Sequence, residues 1–221
     1  MVQRRKTLLA LVILSTLLSA CGRRDVHEES LLIEQVPKAL VVDVGSGDVS
    51  IFGADVSEVS VTAKVQGPSN HVGHVFDQGR LTLFDDCSEE PCSVDLSVRV
   101  PASAALNLRT GSGDVRLENT RADVALKTGS GDIMGRQLSG LDFSAESGSG
   151  DVAFEVVPRA NRVHVRTGSG DVALTVPSGG YRIDVSTGAG DQRFEDVTDD
   201  AGAASAIDIS TGSGDVSILG R

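Results

Sequence analysis

The sequence predicts an all-β protein folded as a β-solenoid, a single stack of coils of about 18 to 24 residues with Gly-Ser-Gly-Asp turns. Three observations lead to this fold class. The motif Gly-Ser-Gly-Asp, or a close variant, occurs seven times. Alternating apolar and polar residues flank it on both sides, which is the pattern of half-buried strands. Only 3% of the residues are aromatic although 40% are hydrophobic, so small and β-branched side chains must form the core.

The first twenty residues are predicted to be an export signal. Arg4–Lys6 supply a positive segment, and Leu8–Ala20 is apolar apart from a few small polar residues. Leu8–Ala20 has 13 residues, whereas a helix that spans a bilayer needs about 20. We therefore expect residues 1–20 to be a cleaved signal peptide.

The end of this segment, Leu18-Ser19-Ala20-Cys21, resembles the lipobox of bacterial lipoproteins. The resemblance implies that Cys21 becomes the mature N-terminus and carries diacylglycerol in thioether linkage, with acyl chains such as palmitate entering the lipid bilayer. It also implies an extracytoplasmic location. Gly22 follows the cysteine, which favours the outer membrane where the organism has one. An ordinary secretory signal with a chance cysteine is the alternative.

The remaining chain is predicted to comprise a tether and one continuous domain. Residues 21–38 are charged and lack a sustained period, so we predict a tether, with Leu31–Ile33 docking on the domain. Residues 39–110 form an irregular N-terminal β region that contains a cysteine loop. Residues 111–221 form the solenoid of Gly-Ser-Gly-Asp repeats.

The last six motifs form an array whose aspartates are 18 to 24 residues apart. Equivalent positions in successive repeats carry the same residue type, as expected when coils stack in parallel and in register. An antiparallel meander or sandwich with hairpin turns is the alternative. It gives no reason for residue types to recur in this way, because strands are mirrored about a hairpin turn.

The aspartates of these six turns are predicted to form one edge of the solenoid. Two interpretations are open. Each carboxylate could accept backbone N–H groups of its own turn, or the edge could hold a cation such as Ca²⁺ between neighbouring carboxylates. No other cofactor is expected. The aspartates are Asp114, Asp132, Asp151, Asp171, Asp191 and Asp215.

Two further short motifs carry cysteine and histidine. Cys87 and Cys92 are predicted to form a disulfide at the tip of a hairpin, because an exported protein meets an oxidising compartment. A metal site at this loop is not expected, because no further ligand completes the set of four. His71 and His74 have a spacing that can bind metal, but a surface loop is the expected role because three firm ligands are lacking.

The repeated Thr-Gly-Ser-Gly-Asp-Val units, with Leu40–Phe52 as an opening segment, resemble a bacterial family of β-strand-repeat proteins labelled as candidate adhesins. This family was formerly known as a domain of unknown function. The resemblance covers residues 39–221 and implies an exported or membrane-linked β-solenoid. It names no catalytic residue, and the lipobox and the cysteine loop are additions to the family pattern.

The charge and the motifs favour a binding module over an enzyme. A formal net charge of −11 excludes a nucleic-acid binder, which needs a basic surface, so no nucleic-acid partner is expected. No Ser-His-Asp signature and no nucleophilic cysteine is visible. We predict an adhesive or structural module that binds a glycan, a matrix component or an envelope protein. Its lateral faces carry polar rows such as Arg116, Arg193, His164 and Asp184.

Two alternatives to adhesion stay open. The protein could be a sensing or regulatory partner of another membrane protein. It could also be a carbohydrate-active β-helix enzyme with lateral carboxylates, although no long loop is visible that would wall a cleft.

Overall fold

The computed structural model describes residues 26–67, 70–87, 92–158 and 160–221. These residues contain twenty β-strands in two sheets of ten strands each. No helix in the described ranges has the length and apolar character that a bilayer crossing requires. The predicted signal peptide, the lipobox and Cys21 lie outside the described residues.

The spatial order of the strands in each sheet differs from their order in the chain. Sheet A consists, from one edge to the other, of β1 (Val26–Ile33), β4 (Val59–Gln66), β7 (Ser93–Pro101), β3 (Val49–Ala54), β9 (Val115–Glu118), β11 (Ile133–Leu138), β13 (Val152–Val156), β15 (Val172–Val176), β20 (Val216–Gly220) and β17 (Gln192–Glu195). Sheet B consists of β18 (Val197–Asp199), β16 (Gly179–Thr187), β19 (Ala206–Thr211), β14 (Arg162–Thr167), β12 (Asp142–Ser149), β10 (Val124–Ser130), β8 (Ala105–Ser112), β2 (Ala39–Ser46), β6 (Arg80–Asp86) and β5 (His71–Asp77).

A coil of this structure is one strand of sheet B followed by one strand of sheet A. The strands of successive coils pair in parallel and in register, as β8, β10, β12 and β14 do in sheet B. Parallel pairing confirms the solenoid and rules out the meander. Within the described ranges, antiparallel pairs occur only at the N-terminal end, between β1 and β4, β4 and β7, and β5 and β6.

The core lies between the two sheets, where the predicted apolar columns face each other. Leu108, Leu126 and Val165 of sheet B are at most 3% exposed. Val115 and Ile133 of sheet A are 1% exposed. Burying a side chain of this size stabilises the fold by about 1.5–3 kcal/mol, so each repeated column contributes several such terms.

The stack departs from chain order at its C-terminal end. The last coil in the chain, β19–β20, lies between the coil β14–β15 and the coil β16–β17. The repeats predict that the coils stack in chain order, and at the C-terminal end this prediction is wrong. Gln192, which interrupts the apolar column, lies on β17, where all four residues are exposed because no coil covers this strand.

The N-terminal end shows the same kind of exchange. The coil β2–β3 stacks directly on β8–β9, and the later coil β6–β7 lies outside it. The predicted boundary at residue 110 is therefore not seen, and residues 39–54 belong to the regular stack. Nor does the cysteine loop join two paired strands, because β6 lies in sheet B and β7 in sheet A. It occupies the place of a Gly-Ser-Gly-Asp turn.

The predicted tether is shorter than expected. Val26–Ile33 forms strand β1, which pairs along eight positions with β4 at the edge of sheet A. Its inward residues end with Ile33, which is 7% exposed. Pairing of backbone groups with β4, in addition to this apolar contact, explains why a segment with many charged residues is ordered.

Candidate functional site

The aspartates of the turns form a hydrogen-bonded ladder that crosses the stack. At each step, the backbone N–H of one aspartate donates to Oδ1 of the aspartate in the adjacent coil, over 2.8–3.0 Å. The interpretation in which each carboxylate accepts N–H groups of its own turn is therefore wrong, because the carboxylate accepts from the neighbouring coil. In spatial order the ladder is Asp95, Asp48, Asp114, Asp132, Asp151, Asp171, Asp215 and Asp191.

In this ladder, one oxygen of every carboxylate except that of Asp191 accepts a hydrogen bond from a backbone N–H. Asp95 belongs to it although no Gly-Ser-Gly-Asp motif contains this residue. Asp95 lies within the alternating residues 94–100, directly before Leu96, just as Asp48 lies directly before the register partner Val49. Calcium binding along this edge is an untested alternative, and these contacts favour the structural role.

Substitutions of Asp151 separate the hydrogen bond from the charge. Asp151→Ala removes the acceptor of the Asp171 N–H, so we expect the free energy of unfolding to fall by about 1 kcal/mol. Asp151→Asn keeps an acceptor oxygen and removes one charge from a row of like charges. In urea unfolding, we expect the free energy of unfolding of Asp151→Asn to equal that of wild type. At low salt, where like charges repel more strongly, we expect Asp151→Asn to be the more stable of the two.

Calcium supplies the control for this comparison. If the ladder is structural, thermal unfolding in calcium and in chelator gives the same melting temperature. A calcium-dependent rise that Asp151→Asn abolishes would contradict the structural role and support the cation edge.

Cys87, Cys92, His71 and His74 lie at the N-terminal end of the stack. The Sγ atoms of Cys87 and Cys92 are at disulfide distance, with their Cα atoms 5.9 Å apart, which agrees with the predicted disulfide. His71 and His74 are three positions apart on β5 and so face opposite sides of that strand. His71 Nδ1 lies 2.7 Å from Glu29 Oε1 on β1.

Glu29 lies on β1, in the segment that was predicted to be a tether. Burial raises the pKa of the Glu29 carboxyl, but hydrogen bonds from His71, from the Val72 N–H and from His27 outweigh it and hold the pKa below its ordinary value. The carboxylate is therefore ionised at neutral pH.

A groove with a volume of 1410 Å³ runs along the outer face of sheet B. It extends over nine neighbouring strands, from β6 to β18. At about 4.8 Å between strands, this corresponds to a length of roughly 38 Å. We call this feature the sheet B groove.

One row of the sheet B groove carries uncharged side chains over four strands, and titratable side chains continue that row over the next three strands. Val41, Asn107, Ala125 and Ser144 are aligned by register, and His164, Asp208 and Asp184 continue the row. The charged residues that line the groove are Arg80, Arg109, Arg162, Arg182, His164, Asp43, Asp123, Asp142, Asp184, Asp199 and Asp208. Both signs of charge are therefore available along the whole groove.

The predicted polar rows divide between the two faces of the solenoid. His164 and Asp184 line the sheet B groove, and His164 Nδ1 lies 3.1 Å from Asp208 Oδ2. Arg116 and Arg193 instead lie on sheet A. The four residues thus do not form one surface.

A charged row borders the groove as the repeat register predicts. Lys127 pairs with Glu146, and Glu146 pairs in turn with Arg166 across adjacent strands. Lys127 Nζ donates to Glu146 Oε2 over 3.0 Å. This hydrogen bond and the charge of Lys127 hold the pKa of Glu146 below its ordinary value. Glu146 is therefore ionised and unsuited to act as a general acid at neutral pH.

Comparison with known proteins agrees with this architecture. The profile of the Toastrack DUF4097 family matches residues 37–219. The chain belongs to the Toastrack DUF4097 family. Among proteins of curated function, no match was found.

Two solved structures share the fold of this Toastrack protein. One is a candidate cell adhesion protein from Clostridium sporogenes, with 13% identity, a TM-score of 0.54, and coverage of 89% of this chain and 100% of that chain. The other is a candidate adhesin from Bacteroides fragilis, with 14% identity, a TM-score of 0.54, and coverage of 89% and 98%. At these identities, the likeness establishes the fold.

Proposed function

We propose that this Toastrack protein is a non-catalytic adhesive module of the bacterial cell envelope, and that the sheet B groove holds an extended polar polymer such as a glycan strand. The observation that carries the proposal is the groove itself, which continues across nine strands. An adhesive role is also named for two proteins of the same fold. The proposal extends that role to this chain.

The dimensions and chemistry of the groove favour a polymer over a compact ligand. A length of roughly 38 Å exceeds any single sugar or nucleotide, and the strands repeat at about 4.8 Å, so equivalent contacts recur along one direction. Small residues such as Ala125 and Ser144 leave room for the chain. Arg162 and Asp142 represent the donors and acceptors that hydroxyl and amide groups require.

The proposal places this module outside the cytoplasm, attached through lipid at Cys21. The lipobox resemblance and Gly22 support a lipid anchor, with the outer membrane as its location where there is one. Strand β1 begins at Val26, only a few residues after Cys21. The groove would therefore be held close to the membrane surface, where envelope polymers are concentrated.

Paired arginine variants test the proposed binding face. We expect Arg162→Ala/Arg182→Ala to weaken binding of the full chain to glycan preparations from the bacterial envelope by at least about tenfold. The reason is that both side chains line the sheet B groove. The measurement is a binding isotherm on immobilised peptidoglycan and on soluble envelope polysaccharide.

The matched control for that pair lies on the opposite face. Arg116→Ala/Arg193→Ala removes the same charge from sheet A and is expected to leave binding unchanged. Equal losses in the two pairs would contradict a role for the groove. Recovery of one tight protein partner by crosslinking, without glycan binding, would instead favour the regulatory alternative.

A further inference from the structure

Three side chains from two sheets meet at the N-terminal end of the stack. His27 Nε2 lies 3.1 Å and His71 Nδ1 lies 2.7 Å from the same oxygen, Glu29 Oε1. One ligand atom from each residue lies within 4.8 Å of the other two. The imidazole rings are 6.0 Å apart between centroids and are arranged edge to face. Two nitrogens and one carboxylate oxygen therefore converge on one point.

This cluster departs from the pattern of its own strand. The inward positions of β1 are His27, Glu29, Leu31 and Ile33, so polar residues occupy two places where alternation would put apolar ones. The Val72 N–H donates to Glu29 Oε2 over 3.2 Å, which turns Oε1 toward the imidazoles. The Glu29 side chain is only 15% exposed. A half-buried, oriented carboxylate between two histidines is the arrangement of a metal ligand set.

We propose that His27, Glu29 and His71 bind one divalent transition-metal ion, with Zn²⁺ as the ion that fits best. Imidazole nitrogen and carboxylate oxygen are ligands that Zn²⁺ prefers, at about 2.0–2.2 Å. In a tetrahedral site, these bond lengths put ligand atoms roughly 3.3–3.5 Å apart. The observed separation of His27 Nε2 from Glu29 Oε1, 3.1 Å, needs to widen by about 0.2–0.4 Å, and that of His71 Nδ1, 2.7 Å, by about 0.6–0.8 Å.

The position of the site indicates what the ion does. His27 and Glu29 lie on β1, the outer strand of sheet A, whereas His71 lies on β5, the outer strand of sheet B. A bound ion joins the outer strands of the two sheets and closes this end of the core. The fourth position of a tetrahedral ion is open to water, because the His71 side chain is 59% exposed.

Zinc binding by the metal-stripped full chain tests the site directly. We expect one Zn²⁺ per chain in titration calorimetry. At about a hundredfold excess of free Zn²⁺ over the dissociation constant, the melting temperature should rise by at least about 5 °C. His27→Ala and His71→Ala should each lower the affinity by at least about 100-fold, because each removes a ligand. Glu29→Gln, which keeps the side-chain size, should also weaken binding.

The two remaining histidines supply controls. His74→Ala changes the same strand, β5, and His164→Ala changes the sheet B groove, and neither should alter zinc affinity. Co²⁺ absorption provides a second readout that does not depend on stability, since tetrahedral Co²⁺ bands should disappear in His27→Ala. Absence of binding to wild type would overturn the proposal. So would loss of binding in His74→Ala with retention in His27→Ala.

Discussion

Alanine at Gly150 is expected to destabilise the stack more than alanine at a surface glycine. Gly150 has φ +140°, a conformation that side chains other than glycine rarely adopt. A Cβ at this position would also lie well inside 3.0 Å of the Gly131 carbonyl oxygen in the adjacent coil. The backbone conformation alone costs about 1–3 kcal/mol, and one coil must then move away from its neighbour.

The expected total loss for Gly150→Ala is about 3 kcal/mol or more in the free energy of unfolding, measured by urea titration. Gly202→Ala is the matched control. A Cβ at Gly202 would approach only Asp200 Oδ1, at 3.3 Å, and the backbone there needs no positive φ. A small, equal effect of the two substitutions would show that the turns are not as closely stacked as the structure describes.

A pair of deletions of similar length tests the exchanged order of the last two coils. Deleting residues 202–221 removes β19–β20, which lies inside the stack and is the sheet partner of both β16 and β17. It also removes Ile207, Ile209, Val216 and Ile218, each 1% exposed. At about 1.5–3 kcal/mol for each side chain, this loss is comparable with the whole stability of a typical domain. We expect this variant to lose its cooperative thermal transition.

The second deletion removes residues 179–201 and with them the outer coil β16–β17. It leaves β19–β20 paired with β14 and β15. Six residues, 177–178 and 202–205, then connect β15 directly to β19. Because β17 is exposed throughout, we expect a cooperative transition at a modestly lower temperature. The opposite ranking in calorimetry would mean that the coils stack in chain order.

The repeated columns could be predicted from the sequence because each coil carries the same inward residues. Val115, Ile133, Val152 and Val172 recur at one position of the turn, and parallel pairing in register follows from that recurrence. The order of the terminal coils could not be predicted in this way. Similar coils offer similar pairing edges, so periodicity alone does not distinguish one neighbour from another. The polar Gln192 departs from an otherwise apolar column, and it lies on the uncovered strand β17.

The candidate sites differ in how far the sequence indicated them. His164 and Asp184 were predicted on a lateral face, and both line the sheet B groove. The groove itself could not be predicted, because small lining residues such as Ala125 become part of one surface only when nine strands are aligned. His27 and Glu29 were assigned to a tether. Their alternation with Leu31 was the available signal of an inward face.

The most direct test of the binding face places the same bulky side chain on opposite faces of the solenoid. Ala125→Trp places a bulky side chain in the sheet B groove, whereas Ala173→Trp changes an exposed position on sheet A. With stability matched by thermal unfolding, binding of the full chain to envelope glycan should be lost in Ala125→Trp and kept in Ala173→Trp. Binding that survives in Ala125→Trp would contradict the assignment of function to the groove.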